Sequence, residues 1–109
     1  MPCCNADLET PCCEFGLEMS EKDLLLDVSK ALGNDVRLQI LEFLTKHPGC
    51  ITGNIVEYLP LAQSTISQHL KVLKEAGIIL GQVEGPSTKY CLNRKTIIEY
   101  RKLIEKILV

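Results

Sequence analysis

Glycine and proline punctuate this chain at short intervals, and that limits every regular element to a few turns. Gly33, Pro48-Gly49, Pro60, Gly77 and Gly85-Pro86 each stand where an apolar repeat stops. Proline cannot donate an amide inside a helix, and glycine tolerates the left-handed cap that ends one. No apolar run approaches the roughly 18 residues of a membrane helix. At 109 residues the chain has room for one core and one domain. The opening MPCCNADLET is acidic and lacks the basic-then-apolar order of a secretory signal. The expected location is therefore the cytosol.

The pieces read as a mainly α fold with a small β component. Residues 1–19 carry Pro2, Pro11, two cysteine pairs and no sustained period, which predicts an irregular acidic arm ahead of a 20–109 domain. Ser20 is placed to cap a helix over about 20–32, with Leu24, Leu25, Val28, Ala31 and Leu32 on one side and Gly33 as a left-handed stop. Asn34 caps a second helix, about 35–47, with Val36, Ile40, Leu41, Phe43 and Leu44 inward. His47 falls in its last turn, where a cation suits the helix dipole. Cys50-Ile51 is a short extended piece, and Thr52 can cap a short helix over 53–59. The next helix, 63–76, has Ile66, Leu70, Leu73 and Ala76 at i, i+4, i+7 and i+10. Residues 78–84 and 88–92 read as a hairpin around Gly85-Pro86-Ser87. Asn93 caps a last helix, about 94–108, which is apolar on more than one face.

Charge is divided unevenly. Residues 1–60 hold four Lys/Arg against ten Asp/Glu, a balance of −6; residues 61–109 hold eight against four, a balance of +4. The net charge of −2 thus hides a basic half suited to a polyanion. Within that half, Gln63, Ser64, Thr65, Ser67, Gln68 and His69 crowd the start of one helix, with Lys71 and Lys74 following and Lys89 in the hairpin. Short polar side chains on the first turns of a helix are what the major groove accepts, and lysines beside them neutralise phosphates. Two helices joined by a short turn, then a hairpin, are the plan of a winged helix-turn-helix with a two-stranded wing. The apolar helices at either end of the domain predict a two-fold dimer, because a monomer this small does not need so much apolar surface there.

Gln63-Ser64-Thr65-Ile66-Ser67-Gln68-His69-Leu70-Lys71-Val72-Leu73-Lys74-Glu75-Ala76-Gly77 resembles the recognition helix of ArsR/SmtB-type metalloregulatory repressors. Lys30-Ala31-Leu32-Gly33-Asn34-Asp35-Val36-Arg37-Leu38-Gln39-Ile40-Leu41 is similar to a second signature of that family. The resemblance covers about residues 22–93. It implies a cytosolic homodimer that represses by binding double-stranded, palindromic operator DNA and leaves when an inducer binds.

The inducer is sought in the cysteines. Family members with a Cys-x-Cys pair at the start of the helix-turn-helix would place it at Ile51 and Gly53 here, so that site is absent. A zinc site on the last helix would need His, and this helix has Glu99 and Glu105 but none. An arsenical-responsive subset resembles what remains, a pair in the N-terminal arm and one cysteine ahead of the helix-turn-helix: Cys12, Cys13 and Cys50. The subset's precedent draws Cys50 from the other subunit. The chemistry agrees, since arsenic(III) and antimony(III) are soft and take three thiolates in a pyramid. No obligatory cofactor is implied. Cys3 and Cys4 offer a possible second site. Zinc, which prefers four tetrahedral ligands, and oxidation to a disulfide by peroxide or persulfide are the competing signals. Adjacent cysteines seldom bond to each other, because the intervening peptide is strained. Cys91 reads as packing.

Other function classes fare worse. No nucleophile–base pair, phosphate loop or His-Glu metal motif supports an enzyme. RNA binding by stacking needs aromatics among basic residues, and Phe15, Phe43, Tyr58, Tyr90 and Tyr100 mostly fall on apolar faces. A winged helix that binds only protein fits the net charge but leaves the polar helix unexplained.

Overall fold

The computed structural model describes residues 18–108, with the backbone alone at residues 50–52. The order is α1 (Met19–Leu32), α2 (Asp35–Lys46), β1 (Cys50–Ile51), α3 (Thr52–Tyr58), α4 (Gln63–Glu75), β2 (Ile79–Glu84), β3 (Ser87–Leu92) and α5 (Arg94–Leu108). This is the mainly helical, winged fold that the sequence predicts, with every expected element in place.

The helix ends correct two expectations. The cap of α1 is Glu18, not Ser20: Glu18 N–H donates to Glu21 Oε1 at 3.1 Å. A reciprocal cap works best with a Glu or Gln three residues on. Glu18 has Glu21 there, whereas Ser20 would have the shorter Asp23. At the other end, Gly33 is not left-handed (φ −78°, ψ 41°). Gly33 N–H still reaches Lys30 O at 3.2 Å, and the Arg37 side chain adds to it, its Nε donating to Ala31 O at 2.6 Å and its Nη2 to Lys30 O at 3.3 Å. Asn34 caps α2 as expected, accepting from Arg37 N–H at 3.1 Å.

The end of α4 does use a left-handed glycine. Gly77 (φ +81°) donates to Lys74 O at 3.0 Å, and Ile78 N–H reaches Leu73 O at 3.1 Å. Both terminal carbonyls are satisfied, and the buried pair Leu73 and Ile78 closes the turn. The chain leaves directly into β2. Glu84 pairs with Ser87 across a two-residue loop that opens on Gly85 at φ +60°, the first loop position where a tight hairpin turn favours glycine.

The sheet has three antiparallel strands in the order β1-β3-β2, one more than the two-stranded wing alone. β1 joins through Cys50↔Tyr90 and Ile51↔Lys89, while β2 and β3 pair from Ile79↔Leu92 to Glu84↔Ser87. A two-residue strand shows no period of its own, so the sequence could predict its extension but not its partner.

The core lies among α1 to α4 and the root of β2. Val28, Ala31, Ile40, Phe43, Leu44, Ile55, Leu59, Ile66, Leu70, Leu73, Ile78 and Ile79 are buried, and among the described residues no polar or charged side chain is. Each of the larger ones contributes roughly 1.5–3 kcal/mol by leaving water. α5 packs on α1, with Ser29 Oγ and Tyr100 OH 2.9 Å apart and Lys106 Nζ 3.6 Å from Glu21 Oε1. That pair keeps apolar side chains outward: Met19 and Leu26 on α1, Ile97, Ile98 and Leu108 on α5.

Candidate nucleic-acid interface

α4 is held by one face and offers the other. Ile66, Leu70 and Leu73 are at most 1% exposed and fix the helix to the core from behind. Gln63, Ser64, Ser67, Gln68 and Lys71 are exposed, while Thr65 and His69 are half-buried at the edges of that face. Its cap position, Ala62, supplies no side-chain bond, and the first turn has no acidic residue. The first amides therefore lie without a side-chain cap at the positive end of the helix dipole. The turn from α3 is tight, with Leu61 N–H on Leu59 O at 2.7 Å and Ile66 N–H on Ala62 O at 3.1 Å.

The three candidate lysines are placed differently. Lys71 lies on the exposed face and forms no ion pair among the described residues. Lys74 leans along the wing: a Cβ built on Gly81 would come within 3.5 Å of its Nζ and 3.3 Å of the Tyr90 ring. Lys89 is in the middle strand, opposite Gln82 and Ile51, with its Nζ 2.9 Å from Glu84 Oε2. It lies back from the wing tip and already has a carboxylate partner.

His69 is not simply presented to solvent. Its Nδ1 lies 3.4 Å from Arg37 Nη1. Arg37 itself escaped the sequence reading. Its signal is the one cation in the first turn of α2, five residues past the end of α1, where unsatisfied carbonyls must lie. His47 ends α2, with its N–H on Phe43 O at 2.8 Å and its ring 4.5 Å from that of Phe43, which also stacks on Tyr58 at 4.6 Å.

Of the cysteines, Cys3, Cys4, Cys12 and Cys13 lie outside the described residues. The backbone of Cys50 opens β1, two residues before α3, and is paired with Tyr90 of the wing. Cys91 is half-buried in β3, opposite Leu80. Among the described residues no three His, Cys, Asp or Glu side chains converge as metal ligands would.

The model of the bacterial regulatory proteins of the arsR family matches residues 34–79, from the cap of α2 to the start of the wing. An uncharacterised HTH-type transcriptional regulator of Methanocaldococcus jannaschii is 32% identical over 89 residues, which are 82% of this chain and all of the relative. The chain belongs to the arsR family. The arsenical resistance operon repressor of Bacillus subtilis is 31% identical over 68 residues, 62% of this chain and 65% of that protein. In fold, an ArsR-like transcriptional regulator from Rhodococcus sp. RHA1 superposes with a TM-score of 0.73 at 21% identity, covering 82% and 83% of the two chains. As an arsR-family member the chain is a DNA-binding transcriptional regulator and not an enzyme. None of its described helices is long and apolar enough to cross a membrane.

Proposed function

We propose that this arsR-family protein is a cytosolic, homodimeric repressor that holds a palindromic operator and releases it when arsenic(III) or antimony(III) joins Cys12, Cys13 and Cys50. The observation that carries the DNA half of the reading is the two-sidedness of α4, where Gln63, Ser64, Ser67, Gln68 and Lys71 are exposed over a fully buried Ile66, Leu70 and Leu73. Base edges are read by Gln68 and Ser64, and phosphates are met by Lys71 and the first-turn amides. Two copies related by a two-fold axis bury Leu26, Ile97 and Ile98, and their recognition helices then reach half-sites about 34 Å apart.

The inducer half rests on the donor set. Three thiols exchange three hydroxides of arsenous acid, losing three protons and releasing three waters with no change of oxidation state. Soft thiolates select such an ion over hard cations. The position of Cys50 supplies the coupling, because its backbone is bonded to the wing strand and runs straight into α3. An ion that draws the acidic arm to this point acts on the wing directly and on α4 through α3, which packs against it. It weakens DNA binding by as much as it prefers the non-binding state, typically about 1–3 kcal/mol, or 5- to 150-fold. Operator must weaken arsenite binding by the same factor. The Bacillus subtilis relative's name supports arsenic as the signal.

The test is a gel shift on a duplex selected by the protein from a randomised pool, with arsenite, zinc and peroxide added separately. Arsenite should release the wild type. Cys12→Ser, Cys13→Ser and Cys50→Ser should bind the duplex and stay bound, while Cys91→Ser responds normally. Release of Cys50→Ser at the wild-type arsenite concentration would replace the clamp by a site of the N-terminal cysteines alone. Release by zinc or peroxide but not arsenite would replace the inducer.

A further inference from the structure

We infer that Arg37 is a positioning residue for the recognition helix, holding His69 as the tautomer that offers its Nε2–H to a DNA phosphate. The inference rests on the DNA-binding reading of α4 and adds a residue that does not itself belong to the contact face. A guanidinium has donors only and keeps its proton at any pH a protein survives. Its three described contacts run to Ala31 O at 2.6 Å, Lys30 O at 3.3 Å and His69 Nδ1 at 3.4 Å. The first two are carbonyl acceptors. The third partner must then also accept, so Nδ1 carries no proton, and in the neutral ring the hydrogen is on Nε2.

Two further observations place that Nε2–H at the surface. No hydrogen bond to Nε2 occurs within the described residues, and among them no buried side-chain nitrogen or oxygen lacks a partner. The Nε2 is thus in contact with solvent. It sits one turn beyond Thr65 and one residue past Gln68 on the same short helix. A donor at this place suits an anionic oxygen, and the base-edge acceptors beside it are left to Gln68.

The same fork sets where α4 stands. Ala31 and Lys30 end α1, Arg37 begins α2, and His69 is in the middle of α4. One rigid, planar group therefore spans a terminal helix, the scaffold helix and the recognition helix. Lysine cannot replace it, because a single ammonium cannot hold three acceptors in a fixed fork. If α1 forms the two-fold interface, this link also fixes the recognition helix relative to the dimer axis.

Two measurements on the full chain test this. Long-range ¹H–¹⁵N NMR of the imidazole nitrogens, with His69 assigned by its loss in His69→Gln, should show the Nε2–H tautomer in the wild type. Arg37→Lys and Arg37→Gln should both lose that bias. Affinity for the selected duplex should fall by about tenfold in Arg37→Gln and in His69→Ala, as expected for losing one charge-assisted bond. The double variant should be no weaker than the weaker single one. Arg37→Gln should keep the wild-type salt slope, whereas Lys71→Ala should flatten it. The Nδ1–H tautomer in a wild type that binds duplex would overturn the role of Arg37. So would additive losses, or a flattened salt slope in Arg37→Gln, which would make Arg37 itself a phosphate contact. The tautomer is read on the wild type, so a destabilised variant does not spoil it. A wild type that binds no duplex at all would instead overturn the DNA-binding reading of α4.

Discussion

α4 and α5 are both sharply two-sided helices, yet they spend their apolar sides differently. In α4 the anchors Ile66, Leu70 and Leu73 are sealed in the chain's own core, and the polar side is exposed. In α5 only Leu103 is buried, while Ile98 is 48% exposed and Leu108 is 72% exposed. The same kind of pattern therefore closes a core in one helix and leaves one open in the other. Amphipathicity states which side of a helix wants cover; only packing shows whether this chain provides it.

The largest effect should come from removing an anchor of α4. Leu70→Ala deletes a side chain that is 1% exposed and should cost about 2–5 kcal/mol of stability. Denaturant unfolding measures this. Leu26→Ala, at a 45% exposed position of α1, should cost an isolated monomer less than about 0.5 kcal/mol. Equal losses for the two at high dilution would erase the contrast between the halves.

The next effect sharpens the other side of the contrast. Ile98→Glu puts a charge on the uncovered face of α5 and should dissociate the dimer in sedimentation at micromolar concentration. Thermal stability of the wild type should rise with protein concentration, and that of Ile98→Glu should not. Duplex affinity should fall with the dimer, since each monomer then reads a half-site alone. A variant that stays dimeric would move the interface elsewhere.

The contrast also explains what was legible beforehand. Ile66, Leu70 and Leu73 announced α4 by spacing, and Asn34 announced the start of α2 by its cap chemistry, because both signals are local. Three features were not local. The pairing of Cys50 with Tyr90 joins residues forty apart, and a two-residue strand carries no register signal. The end of α1 is shared between Gly33, which is not left-handed, and Arg37, whose guanidinium reaches back six residues to Ala31 O. The carboxylate beside Lys89 comes from the opposite strand. On α4, residue type marks Gln63 to Lys71 as a polar face, and the structure exposes most of it, but residue type does not show that His69 is shared with Arg37. The cysteines of the arm lie outside the described residues, so their part stays with the chemistry of thiols.

Within the DNA face, specificity and affinity should separate. Gln68→Ala should cost about 1–3 kcal/mol at its contacted base pair and little at others. Lys71→Ala should weaken every duplex alike and lower the salt slope by about 1 for each subunit. Binding to a panel of single-base variants across salt concentrations measures both. A uniform loss for Gln68→Ala would mean that another element reads the bases.

The smallest effect belongs to the wing, and it has an unusual sign. Lys89 is half-exposed and already 2.9 Å from Glu84, itself half-exposed. A surface pair of this kind contributes only about 0–1 kcal/mol to folding, so Lys89→Ala should barely move the unfolding midpoint. On DNA the pair competes with phosphate, because an ammonium held by a carboxylate must leave it before it can neutralise the duplex. Lys89→Ala should thus weaken binding less than Lys71→Ala does. Glu84→Gln should strengthen binding and steepen the salt dependence, since it frees Lys89 and removes a negative charge from the wing. If Glu84→Gln instead left both quantities unchanged while Lys71→Ala altered them, the wing would stand clear of the DNA. Recognition would then rest on α4 alone.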